Sequence, residues 1–417
     1  MDLALAHPPM SAPANRIADL DGIRAIAIWM VMLMHVYYAF PNSPGALSFV
    51  PKPLMQVLGH GWLGVDLFFL LSGYLITGIL LGAKGRPNYF RNFYVRRVLR
   101  IMPLYFAVIF VWSFFYHGYG RYFLLSSVFC ANFARLLHIP HALAPGTLWS
   151  LAVEEHFYLV WPLVVLLLSE SALAFTAGGI FVLTPLLRGI FAAHGTSPDL
   201  MYDLSWFRFD GLAAGALLAI WARSAFAERR HSVRLCLILL AAFIVLTAAG
   251  IPFGLLGTAS PVAVALRYTQ AYLLFAIFLV LVLAFRGSRW TSPLRWRFFQ
   301  LAGALSFCLY LIHHSVGDGY EFLLKRSGFP LLHYVGPSGA VFVRGVVMLG
   351  VSFAIALASR KYLEEPFLSL KHKFTESASP TTGPIRVVAD AGPPLQVFPA
   401  MSLGVVGLAA RIAPDEN

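Results

Sequence analysis

The segment WLGVDLFFLLSGYLITGILLG, residues 62–82, carries one charged side chain, Asp66, in an otherwise largely apolar run. As a helix rising ~1.5 Å per residue it is ~31 Å long, which matches a bilayer hydrocarbon core about 30 Å thick. No water is available inside such a layer, so the backbone must satisfy its own hydrogen bonds and a helix is forced. Comparable runs recur near 23–40, 100–117, 148–168, 173–193, 204–222, 235–251, 262–285, 299–316 and 337–358. The whole chain of 417 residues is 59% hydrophobic and 12% charged, with a mean hydropathy of +0.73. Soluble domains carry about 25% charged residues, so a water-soluble fold is excluded. The expected architecture is all-α: one polytopic transmembrane bundle of about ten helices.

The net charge of +12 does not point to nucleic acid, because Lys and Arg fall in short clusters between apolar runs. Such clusters report topology. If the short stretch 119–135 does not cross, one side receives Arg91, Arg96, Arg97, Arg100, Arg229, Arg230, Arg234, Arg295, Arg297, Arg360 and Lys361, and the other side keeps few cations. That arrangement obeys the positive-inside rule for a multi-pass protein with both termini cytoplasmic. The first apolar run follows Arg16, Asp19, Asp21 and Arg24 and is expected to remain as a membrane helix rather than a cleaved signal. Residues 1–16 read as a cytoplasmic segment, 17–373 as the membrane domain, and 374–417, rich in Ser, Thr, Pro and Gly, as a flexible tail. Cys130, Cys236 and Cys308 lie far apart with no disulfide or metal-ligand spacing, and no metal is expected.

Ionisable residues in membrane segments are costly and usually functional. Those near the outer ends of the spans are His35, Asp66, Glu154, Glu155, Arg208, Asp210, His313 and His314, contributed by five helices. Carboxylates and imidazoles suit proton transfer to and from a hydroxyl or thioester. On the inner side stand Arg24, Arg96, Arg97 and Arg100, and grouped guanidiniums suit phosphates. Arg24 and His35 are separated by ~16 Å along one helix and fall within about 20° of the same face, so an extended donor can touch both. Ser150, Glu154 and Tyr158 share a face at i, i+4, i+8 spacing, as do Ser306, Tyr310 and His313 on theirs. Taken singly, each of these reads equally as a packed polar contact between helices.

Several segments resemble the acyltransferase-3 family of bacterial membrane proteins. They are LDGIRAIAIWMVMLMH (Leu20 to His35), with an Arg-x10-His spacing; GWLGVDLFFLLSGYLIT (Gly61 to Thr77); YVRRVLRIMPLY (Tyr94 to Tyr105), with Arg97-x-x-Arg100; GTLWSLAVEEHFYLVWP (Gly146 to Pro162); RFDGLAAG (Arg208 to Gly215); LSFCLYLIHH (Leu305 to His314); and YLEEPF (Tyr362 to Phe367). The resemblance implies ten membrane helices and transfer of an acyl group, commonly acetyl from acetyl-CoA, to hydroxyls of surface polysaccharide, peptidoglycan, lipopolysaccharide or small glycosides. It places the family's catalytic histidine on His35 and its motif arginine on Arg24. His156 departs from the family pattern, which usually has glutamine there, and is expected to tune the site.

These readings combine into one expectation. Acyl-CoA serves as co-substrate, its phosphates meeting Arg24, Arg97 and Arg100. His35 deprotonates the acceptor hydroxyl or carries the acyl group briefly, with Glu154 or Asp66 orienting its imidazole. Ser150, Arg208, Asp210, Tyr310 and His313 support the acceptor side. The rival classes are a transporter or flippase, which broken or inverted-repeat helices would favour, and a non-catalytic scaffold.

Overall fold

The computed structural model describes residues 17–38, 47, 50–140, 146–224, 229–256 and 260–371. The expectations for residues 1–16 and for the tail from 374 lie outside them. Ten principal helices follow in chain order: α1 Ala18–Tyr38, α2 Leu63–Ala83, α3 Tyr89–Phe115, α4 Leu148–Leu167, α5 Glu170–Ala193, α6 Phe209–Arg223, α7 Arg229–Gly250, α8 Pro261–Ala284, α9 Arg297–Ser327 and α10 Leu331–Ser359. Each corresponds to one of the apolar runs read from the sequence. Among the described residues nine helices are long and apolar enough to cross a membrane, and α6, with 15 residues, is the short one.

Local signals set several ends. The Ser169 hydroxyl accepts from Ala172 N at 3.2 Å to open α5, and Ser260 accepts from Ala263 N at 3.0 Å to open α8. Gly328, with φ 64°, closes α9 just after Lys325 and Arg326. The Lys84 ammonium reaches the carbonyls of Val165 at 2.8 Å and Leu168 at 2.5 Å, a cation on the C-terminal dipole of α4. Gly336 breaks helical geometry within α10 at φ 65°, so its regular membrane portion begins at Pro337, where the apolar run begins.

One departure from the sequence reading has a clear cause. The run 204–222 does not start as an α-helix, because Ser205–Phe207 forms a 3-10 turn and α6 begins only at Phe209. At ~22 Å it is shorter than the hydrocarbon core, and it is enclosed by neighbours, with Asp210, Leu212, Ala213 and Ala216 fully buried. The stretch 119–135 holds an eight-residue helix, Gly120–Ser127, followed by the 3-10 turn Ala131–Phe133. At ~12 Å that helix cannot span, and it packs Tyr122 and Ser126 into the bundle instead.

Without water between them, membrane helices are held by close packing of small residues and by polar contacts. The tightest approach is α2 on α6, where a Cβ at Gly73 would run into the Leu212 backbone, and one at Gly215 into that of Leu70. Gly303 of α9 seats against the Asp21 backbone of α1 in the same way. At that end Arg295 donates to Asp19 at 2.7 Å and Gln300 to the Ala18 carbonyl at 2.7 Å. Helix α1 is therefore clamped against α9 along its length and also packs on α2. The periphery is apolar: Phe110, Phe114, Leu159, Phe175, Leu237 and Val245 face outward, as a lipid-facing surface must.

Candidate active site

Two cavities open inside the bundle. One, of about 300 Å³, lies at the His35 end and is walled by His35, Trp62, Trp149, Tyr202, Tyr310 and His314. The other, of about 110 Å³, lies at the Arg24 end and is walled by Arg24, Ser72, Arg97, Arg100, Glu154 and Tyr158. Val65 and Tyr310 belong to both walls, so the chambers meet there.

In the histidine chamber, His35 of α1 faces α9. His313 is completely buried, with its Nδ1 2.9 Å from the Leu309 carbonyl and its Nε2 3.0 Å from His35 Nδ1. A carbonyl only accepts, so His313 Nδ1 carries the hydrogen and, in the neutral ring, Nε2 is left as acceptor. His35 Nδ1 must then donate to it, which leaves His35 Nε2 unprotonated. That is the tautomer a general base or nucleophile needs. The ring of His314 stands edge-on to His35, with centroids 4.7 Å apart. Arg344 of α10 donates to the Val36 carbonyl at 3.0 Å and the His35 carbonyl at 3.4 Å, and pairs with Glu321 at 3.2 Å. It thus covers the unsatisfied carbonyls at the end of α1 and fixes the turn that bears His35.

The arginine chamber gathers guanidiniums from two helices. Arg24 pairs with Asp21 at 3.1 Å, and Arg97 lies over the Tyr158 ring at 4.4 Å. Glu154 accepts from the Ser72 hydroxyl at 2.7 Å and from Tyr158 at 3.1 Å. Beside this group, past the end of α10, Lys371 lies among further cations. Burial, then Arg100, Arg360, Arg96 and Arg97, push its ammonium down to about 8.

The structure brings Arg24, Arg97 and Arg100 to one cavity and His35 to the other, with His313 buried behind His35 and outside the cavity wall, and it joins Ser150 to Tyr310 by a 2.6 Å hydrogen bond where the two meet. The orienting carboxylate is corrected. Among the described residues no carboxylate hydrogen-bonds His35, because Glu154 is engaged by Ser72 and Tyr158 in the arginine chamber and Asp66 is sequestered elsewhere. Asp66, fully buried, accepts from Arg208 at 2.5 Å and from Tyr272 at 2.7 Å. Arg208 and Asp210 do not neutralise each other: Asp210 pairs with Arg188 of α5 at 2.7 Å, while Arg208 stacks on Tyr268 at 3.9 Å behind the chamber wall. These two buried pairs tie α2, α5, α6 and α8 together and line neither cavity. His156 also lines neither; its Nδ1 sits 2.7 Å from Ser205 Oγ and its ring stacks on Phe133.

Arg188 and Arg344 were not singled out in the sequence, though each is a lone charge inside an apolar run. The same cost argument that flagged Asp66 finds both once it is applied to span interiors as well as span ends. His314 was noted beside His313, but the sequence alone did not say which of the two would touch His35.

The comparisons with known proteins agree in class. YrhL of Bacillus subtilis, whose peptidoglycan O-acetyltransferase name is itself provisional, is 30% identical over 237 residues, covering 51% of this chain and 35% of that protein. The peptidoglycan O-acetyltransferase OatA of Listeria monocytogenes is 29% identical over 230 residues, covering 49% and 34%. The O-acetyltransferase OatA of Staphylococcus aureus is 31% identical over 172 residues, covering 36% and 24%. The match thus spans about a third of the length of the first two relatives. No solved structure matches. Residues 17–357 match the acyltransferase-3 family, described as an acyltransferase domain, and the chain belongs to that family.

Proposed function

We propose that this protein transfers an acyl group, acetyl in the first instance, from acyl-CoA to a hydroxyl of a carbohydrate acceptor, with the donor in the arginine chamber and the acceptor in the histidine chamber. The observation that carries this reading is the meeting of the chambers at Val65 and Tyr310. A phosphate-bearing donor held at Arg24, Arg97 and Arg100 sends its thioester toward His35, ~16 Å along α1. The narrow arginine chamber suits a chain-like arm. The wider one, with Trp62, Trp149 and Tyr202 in its wall, suits a sugar ring.

His35 Nε2 takes the acceptor's hydroxyl proton, the oxygen attacks the thioester carbon, and the departing thiolate recovers the proton from His35. An acyl-His35 intermediate is the variant route by the same nitrogen. His313 holds the tautomer and shares the positive charge, the part a carboxylate takes in hydrolase triads. The names of the relatives support a surface glycan such as peptidoglycan as acceptor. The cation clusters support a cytoplasmic donor side, in a bacterial inner membrane with both termini in the cytoplasm. On this reading the membrane domain runs over 17–373.

The test is acyl transfer by the purified full chain in lipid nanodiscs, from radiolabelled acetyl-CoA to glycan fragments, resolved by mass spectrometry. His35→Ala abolishes product without changing expression or thermal stability; product at the wild-type rate in that variant overturns the assignment.

A further inference from the structure

The junction of the chambers holds a pair of hydroxyls that proton transfer at His35 does not use. Tyr310 of α9 and Ser150 of α4 stand 2.6 Å apart across the bundle. Both also reach one acceptor, the Thr147 carbonyl, at 3.3 Å from Tyr310 and 3.2 Å from Ser150. Whichever hydroxyl donates to the other, the second proton must end on Thr147, at the long limit of a useful O–H···O bond. The pair is thus a short, polarised link followed by a weak terminal bond. A hydroxyl proton held this loosely turns readily to a better acceptor nearby.

On the proposed reading, such an acceptor forms here during turnover. Tyr310 lines both chambers and Ser150 lines the arginine chamber, so a thioester passing from the arginines to His35 crosses this point. When the acceptor oxygen bonds to the thioester carbon, the carbonyl π electrons move to oxygen and leave a negative charge in a site walled by Phe68, Trp149 and Val65. Nothing in the His35–His313 pair neutralises that oxygen, because the proton on His35 belongs to the leaving thiolate. Charge-assisted O–H···O⁻ bonds are about twice as strong as neutral ones, and donors placed where charge develops contribute most in a site that excludes water.

We propose that the hydroxyls of Tyr310 and Ser150 are the oxyanion donors of the acyl transfer. Tyr310 turns its hydrogen from Ser150 or Thr147 to the oxyanion, and Ser150 follows. When the intermediate collapses, the C–S bond breaks, the C=O bond re-forms, the thiolate takes the proton from His35, and the two hydroxyls return to their bond with each other and to the Thr147 carbonyl. No further reactant is needed.

This inference rests on the function proposed above, and its test separates the two. Tyr310→Phe keeps the ring and removes the hydroxyl. The variant, in nanodiscs, is expected to lose about 10²- to 10³-fold in kcat, with KM for acetyl-CoA and for the glycan fragment within about threefold of wild type. A second readout is inhibition by S-trifluoroacetonyl-CoA, whose ketone hydrates to a tetrahedral, partly ionised centre, compared with S-acetonyl-CoA. Wild type prefers the fluorinated analogue, and Tyr310→Phe erases that preference, which a merely structural role would leave in place. Ser150→Ala gives the same pattern in smaller measure and serves if Tyr310→Phe does not fold. A kcat within fivefold of wild type, a rise in KM at unchanged kcat, or a retained analogue preference overturns the inference. Absence of acetyl-CoA-dependent product in wild type overturns the proposed function instead.

Discussion

His35 takes its tautomer from His313 rather than from a carboxylate, and on the proposed function that has measurable consequences. His313 Nε2 accepts the His35 Nδ1 hydrogen at 3.0 Å, so a side chain that still accepts there preserves the tautomer, and one that cannot does not. His313→Gln is therefore expected to retain at least about ten times the kcat of His313→Leu, with donor KM the same in both. Misplacing a triad-type orienting partner costs about 10⁴ in kcat in a well-studied case, which bounds the fall in His313→Leu. Steady-state rates of the two variants at matched expression check the order, and equal rates would remove His313 from the relay. Part of this site was legible from residue type and depth. Arg97 and Arg100 share one helix with a spacing that fixes their face, and Arg24 and His35 share another. The partner of His35 was not legible. Depth along a helix says nothing about which neighbour is met, and Glu154, at a suitable depth, is turned to Ser72.

At the scale of elements, the apolar runs located ten helices because each must cover the bilayer by itself. Their lateral order was hidden. Which helix lies beside which depends on glycine contacts such as Gly303 on Asp21 and on buried ion pairs such as Asp66 with Arg208, and a run of Leu and Phe records neither. The short α6 was misread at its start for a related reason: enclosure by α2, α5 and α8 relieves it of the need to meet lipid at full length. Two predictions belong here. Asp66→Ala leaves Arg208 charged and buried without its carboxylate, and removing one member of a buried pair costs about 3–5 kcal/mol. The variant should show a much lower melting temperature in detergent and reduced yield, whereas a purely catalytic Asp66 would leave stability intact. Gly303→Val drives a side chain into the α1 backbone, an overpacking that costs about 1–3 kcal/mol. Because it parts α1 from α9, which carry His35 and His313, kcat should fall while the acetyl-CoA KM stays near wild type. A rise in donor KM as the main effect would mean that this seam shapes the arginine chamber instead.

Across the whole molecule the two ends of the site differ in electrical character, and pH separates them. The end that holds the donor on the proposed function has Arg24, Arg97 and Arg100 in its cavity and Lys371 beside them, with the Lys371 ammonium pushed down to about 8 by burial and by Arg100, Arg360, Arg96 and Arg97. Below pH 8 Lys371 carries its charge and adds to the field that attracts phosphates; above it the proton leaves and the field weakens. A bound polyanion favours the charged form, so binding takes up a proton in this range, and donor affinity is full below pH 8 and declines as pH rises. The acetyl-CoA KM is expected to increase severalfold between pH 7 and pH 9, with the acceptor KM unchanged. Lys371→Arg, whose guanidinium stays charged throughout, should flatten that rise, and Lys371→Met should give the high-pH KM at every pH. If Lys371→Met instead keeps the wild-type pH profile, the titration belongs to another group and Lys371 does not act on the donor.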